Sequence, residues 1–124
     1  MAVSADDGHL EAVNVEFEGE ASREEVKGAF CSFKGPAEVA GLPSAPDSPI
    51  IFTEEHNRPQ PKKDVWAGGS GRKAGMAVTI GRLAVEGSWA RFFLLSHNTI
   101  RGAAGGSVLN AELVVNRKLL EVKD

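Results

Sequence analysis

The sequence predicts an α+β fold with about four strands and two main helices, in the order β-α-loop-β-β-β-α. Three observations carry it. Residues 10–18 alternate apolar and polar side chains, residues 23–33 repeat apolar ones at three- and four-residue steps, and residues 76–96 hold two strand-like runs separated by a turn. In the first strand Val13, Val15 and Phe17 share one face and Asn14, Glu16 and Glu18 the other, the pattern of a half-buried strand. After a turn at Gly19, Ser22 stands three residues before Glu25, the spacing of a capping box. The helix that follows runs from Arg23 to about Phe33, with Val26, Ala29, Phe30 and Phe33 as its apolar stripe, and Gly35-Pro36 stops it.

Residues 34–75 change character. Five prolines beyond Pro36 (Pro43, Pro46, Pro49, Pro59 and Pro61) fall here, with Gly41, Gly68, Gly69, Gly71 and Gly75. Only 49–53 reads as a strand. Two readings of this long connection stay open, a surface meander pinned by prolines and a functional loop. Met76, Val78 and Ile80 then alternate with small or polar residues in a run that continues to Val85, and Glu86-Gly87-Ser88 is the expected hairpin turn. The next strand, 89–96, contains Phe92-Phe93-Leu94-Leu95, which offers apolar groups to both faces and predicts a central position. The last helix is expected to begin at Thr99 as N-cap. It carries Ala104, Val108, Ala111, Val115 and Leu119 on a stripe widened by Leu109, Leu113 and Leu120, with Lys118 and Lys123 at its negative pole.

Composition removes several classes of function. A length of 124 residues fits one domain, and 14 Lys+Arg against 17 Asp+Glu, a formal charge of −3, argues against nucleic acid as a partner. No stretch approaches the roughly 20 apolar residues of a membrane helix, and the N-terminus lacks an apolar signal core, so no membrane partner and a cytoplasmic setting are expected. The single cysteine, Cys31, permits no internal disulfide and no cysteine-built zinc site.

Few residues invite chemistry. His9, flanked by Asp6 and Asp7 at a strand entrance, has the makings of a general base, though taken alone such a residue is more often a solvated loop histidine. The run from Ser96 to Ser107 opens a helix with small residues that let a ligand or another backbone approach closely. Its free N–H groups, with Arg101, could hold a phosphate or carboxylate; close packing on the sheet explains it equally well. Cys31, within the amphipathic helix, reads as a buried structural thiol. His9, His56 and His97 show no metal-ligand spacing, and no metal is expected. Arg58, Lys62 and Lys63 form a small basic cluster, read as solvated with an anion contact as the alternative.

Gly8-His9-Leu10-Glu11-Ala12-Val13, Gly41-Leu42-Pro43-Ser44-Ala45-Pro46, Asn57-Arg58-Pro59-Gln60-Pro61 and the run from Ser96 to Glu112 (SHNTIRGAAGGSVLNAE) occur in this order in aspartate-semialdehyde dehydrogenases. The chain resembles the archaeal and fungal branch of that family from Gly8 to about Leu120. The resemblance implies a mixed β-sheet with flanking helices, like the C-terminal (dimerisation) domain related to that of glyceraldehyde-3-phosphate dehydrogenase. Residues 1–98 would be part of that domain, and 99–124 a C-terminal helix that in the family packs on the nucleotide-binding half. The family reaction is NADP-dependent reductive dephosphorylation of aspartyl phosphate, toward lysine, threonine and methionine. It uses a cysteine nucleophile, a histidine acid/base and an arginine that holds the substrate carboxylate.

By resemblance His9 matches the acid/base histidine, Asn98 the asparagine that approaches the cofactor, and Gly102 to Gly106 the small-residue helix start beside it. The departures are equally informative. Ala2 stands where the family has its arginine, Cys31 does not match the catalytic cysteine, and the glycine-rich phosphate turn has no counterpart. The expectation is a C-terminal enzyme fragment that supplies the general base and a subunit interface, is inactive alone, and does not hold NADP by itself. Substrate would bind only with the missing half. The alternative is a non-catalytic dimerisation module that pairs with itself or with full-length subunits.

Overall fold

The computed structural model describes residues 7–120, so the expectations for Ala2, Asp6 and Lys123 lie outside the described residues. The strands are β1 (His9–Glu16), β2 (Ile50–Thr53), β3 (Val78–Glu86) and β4 (Trp89–Ser96), and the helices α1 (Arg23–Ser32), α2 (Pro61–Asp64) and α3 (Gly105–Asn116). They form one four-stranded sheet in the order β1-β4-β3-β2. β4 pairs antiparallel with both neighbours, whereas β2 and β3 run parallel, so the sheet is mixed. The two-residue turn Gly87-Ser88 joins β3 to β4, with Gly87 at φ +59 where a II′ turn needs glycine. The central position expected for β4 follows from its sequence: Phe92 and Phe93 face opposite sides, and both sides are covered.

The sheet separates two apolar clusters. On one face α1 sets Val26 and Phe30 against Ile80, Phe92, Val13, Val15 and Phe52. The capping box is present as its spacing predicts: Ser22 Oγ accepts the Glu25 N–H at 3.2 Å and the Glu25 carboxylate accepts the Ser22 N–H at 2.8 Å. The opposite face carries Leu10, Leu95 and Phe93 against Val65, the residue that ends α2. Two expectations for α1 fail, for separate reasons. The helix stops at Ser32, so Phe33 continues in extended backbone and is 52% exposed. Cys31 lies one step off the Val26-Phe30 stripe and is an exposed thiol, not a buried one.

The connection between α1 and β3 is more than a surface meander. Ala45, with Val39 and Leu42, forms a third apolar cluster against Met76, Ile100 and Leu109 of α3. Glu112 of α3, largely buried, accepts from both the Ser44 N–H (2.9 Å) and the Ser44 hydroxyl (2.8 Å). The loop therefore holds the last helix on the domain. α3 is shorter than its apolar stripe implies. Arg117 is tied to Glu38, Lys118 takes φ +55, and the helix ends at Asn116, which leaves Leu119 and Leu120 beyond it and exposed.

The basic cluster of the loop also resolves. The Arg58 guanidinium is engaged by Asp64 and by Glu55, so it is no anion site; Lys62 and Lys63 stay exposed. Asp64 is 3% exposed and also accepts the Gln60 N–H at 2.7 Å. Burial alone pushes its carboxyl up, but the Arg58 guanidinium and the Gln60 N–H together outweigh burial and hold it below the usual aspartate range. A depressed folded-state value means a stabilisation complete above the ordinary aspartate value of about 3.9 and lost as pH falls through the lower folded one. Asp64→Asn should cost about 1–3 kcal/mol at neutral pH, since Arg58 can still reach water, and should flatten the acid limb of a stability-versus-pH curve. Denaturant titrations at several pH values check both.

Candidate active site

The residues expected to carry chemistry converge where β1 begins and β4 ends. His9 and Ser96 are opposite each other in the ladder, which brings the run from Ser96 to Gly102 beside the Gly8-His9 entrance. The His9 side chain is 57% exposed, and its Nδ1 lies 3.8 Å from Glu11 Oε1 on the same strand face. An imidazole so placed is open to solvent. Before it stands Gly8, buried at φ +87, where an added Cβ would come within 2.9 Å of Val65 Cγ2; only glycine makes this entrance. The Gly8 N–H donates to Asn98 Oδ1 at 3.1 Å.

The helix start departs from expectation in a useful way. Thr99 stands at its N-cap position, but its side chain makes no cap bond. Its hydroxyl sits 3.2 Å from His97 Nδ1, and the chain turns through a π-helical segment at Ile100–Ala104 before α3. The bonds Gly102 N–H to His97 O (3.3 Å) and Ala104 N–H to Thr99 O (3.0 Å) define that wider turn. Its small residues sit in two different environments. Gly105 is required by packing, since a Cβ there would lie 2.5 Å from Met76 Sδ, whereas Gly102 has open space around it and is exposed.

Pattern reading passed over His97. It is buried at 2% exposure with its ring edge-to-face on Trp66, centroids 4.5 Å apart. The alternation of β4 offers the signal: His97 stands two residues beyond the fully buried Leu95 and continues its phase. Trp66, a loop residue, gave none. Cys31 stays on α1 and Arg58 in its ion pair, so neither joins His9, Asn98 and Gly102. Among the described residues no group of three His, Cys, Asp or Glu side chains is placed to hold a metal ion, and no helix is long and apolar enough to cross a membrane.

A mixed sheet with an exposed histidine at its edge and a glycine-opened helix beside it defines the class of module. The chain belongs to the semialdehyde dehydrogenase dimerisation-domain family, whose model matches residues 1–101. Its relatives include aspartate-semialdehyde dehydrogenases. The protein from Archaeoglobus fulgidus is 48% identical over 115 residues, which cover 92% of this chain and 31% of the relative. The one from Aspergillus fumigatus is 41% identical, over 91% of this chain and 31% of its own length. A malonyl CoA reductase (NADP) from Metallosphaera sedula is 44% identical over 92% of the chain and 31% of its own length. Among solved structures, aspartate semialdehyde dehydrogenase with NADP from Candida albicans superposes with a TM-score of 0.71 at 30% identity, over 92% of this chain and 31% of that one. The chain thus spans about a third of the length of the curated relatives it matches and corresponds to a C-terminal portion of them.

Proposed function

We propose that this chain is the histidine-bearing portion of an NADP-dependent dehydrogenase that reduces an activated carboxyl group to an aldehyde, with aspartyl phosphate as the leading substrate. The observation that carries the reading is the convergence of His9, Asn98 and Gly102, matched by resemblance to acid/base and cofactor roles, at one end of β1 and β4. His9 acts as the proton carrier, since its imidazole is exposed and firmly rooted in the sheet. Exposed Gly102 and the outward amide of Asn98 suit a nicotinamide cofactor, whose part when bound is to exchange hydride with the acyl carbon. One histidine moves a proton but neither forms the acyl-enzyme bond nor transfers hydride, so the isolated chain is inactive. A cytoplasmic setting and a place in amino-acid biosynthesis belong to the same proposal. The malonyl CoA reductase relative keeps a second acyl donor open: this portion would serve a thioester substrate equally, because donor recognition would rest with the rest of the enzyme.

Mixing the purified chain with the N-terminal two-thirds of the Archaeoglobus fulgidus relative tests this. NADP-dependent turnover of aspartate semialdehyde in the mixture, absent from each part alone, is the expected result. A mixture that forms a complex yet stays inactive overturns it. Exposed Val108, Val115, Leu119 and Leu120 favour a second reading, a pairing module without catalysis. That reading predicts mixed dimers with full-length subunits and no rescue of activity.

A further inference from the structure

We infer that Asn98 is a positioning residue for His9, acting through the backbone of Gly8; this deepens the reading above and rests on His9 being the proton carrier. The ladder between β1 and β4 closes at the pair His9 and Ser96, one residue short of Gly8. Gly8 is buried, and its N–H, one residue beyond the end of the ladder, finds its partner in Asn98 Oδ1 at 3.1 Å. On its other side Gly8 meets Val65 Cγ2 and the Ser96 carbonyl, so packing and one side-chain amide together fix the residue from which His9 projects. Because the partner at Gly8 is a donor, the oxygen of the Asn98 amide must face it. The NH2 then points away and has no hydrogen-bond acceptor among the described residues. A single side-chain amide thus joins the start of the last helix to the histidine strand.

The residue that precedes Asn98 is firmly anchored. His97, next in the chain, is buried against Trp66, accepts the Gly102 N–H on its carbonyl, and meets the Thr99 hydroxyl with its ring. A displacement at the π-helical turn therefore passes through Asn98 to Gly8 and on to His9. The device links the order of the helix start to the aim of the proton carrier.

Amide hydrogen exchange by NMR on the isolated chain tests the latch directly. Asn98→Ala should raise Gly8 exchange about tenfold, whereas Asn98→Asp, which keeps an acceptor oxygen, should stay within about twofold of the parent. In the reconstituted complex Asn98→Ala should lower kcat with little change in the KM for aspartate semialdehyde, and Asn98→Asp should recover part of kcat. Gly8 exchange unmoved by Asn98→Ala overturns the proposal, as does an aspartate variant that behaves like alanine. Full activity in a His9→Ala complex would instead sink the reading of His9 and leave the Gly8 result standing, so the two failures are distinguishable.

Discussion

His9→Ala should lower kcat of the reconstituted complex by about 10²–10⁴-fold, the range a positioned acid/base supplies, while the KM for aspartate semialdehyde changes little. The structure makes this a clean experiment. His9 is 57% exposed at the first position of an edge strand, with Glu11 Oε1 3.8 Å from its Nδ1. Removing the imidazole opens no cavity and strands no buried partner, so the unfolding free energy should stay within about 0.5 kcal/mol of the parent. Loss of activity at unchanged stability assigns the residue to chemistry. Loss of both would assign it to structure.

Leu95→Ala carries the largest expected effect on stability. Leu95 has no exposed surface, lies in the strand paired on both sides, and packs with Leu10, Val65 and Phe93. Truncation should cost about 2–5 kcal/mol, the usual range for a buried leucine. A domain of this size has about 5–15 kcal/mol in all, so the variant keeps only a fraction of its stability. The cost reaches the site as well. Leu95 Cδ1 lies 3.5 Å from where a Gly8 Cβ would stand, directly under the histidine entrance. Leu119→Ala is the matched control: Leu119 is 64% exposed beyond the end of α3, and its loss should be nearly neutral in urea or guanidinium melts of the isolated chain.

The regular elements were legible because their periods are clean. Alternation at Val13, Val15 and Phe17, the Ser22-Glu25 box, and the two-faced Phe92-Phe93 run each follow from local rules, and each appears in the fold. Failures occur where long-range contacts override local preference. Thr99 reads as a cap, yet its hydroxyl meets His97, and the helix begins through a π turn. Leu119 and Leu120 continue the helical stripe, but Arg117 is drawn to Glu38, 79 residues away in the chain, and the helix ends first. The connection of 34–75 gave no sign that Ser44 would clasp Glu112, 68 residues on. Of the candidate site, His9 was visible as an isolated histidine and Asn98 and Gly102 by resemblance. The bond that joins Asn98 to Gly8 spans 90 residues and depends on the β1–β4 register.

The central claim is that this chain supplies the acid/base portion of an activated-carboxyl reductase. A chimera in which it replaces the matching third of the Archaeoglobus fulgidus relative tests this most directly, since the covalent join removes the assembly step. Assayed with aspartate semialdehyde, phosphate and NADP, the chimera should turn over, and His9→Ala should abolish nearly all of that rate. A chimera that folds, binds NADP and is inactive, or one that is active and indifferent to His9→Ala, would contradict the account.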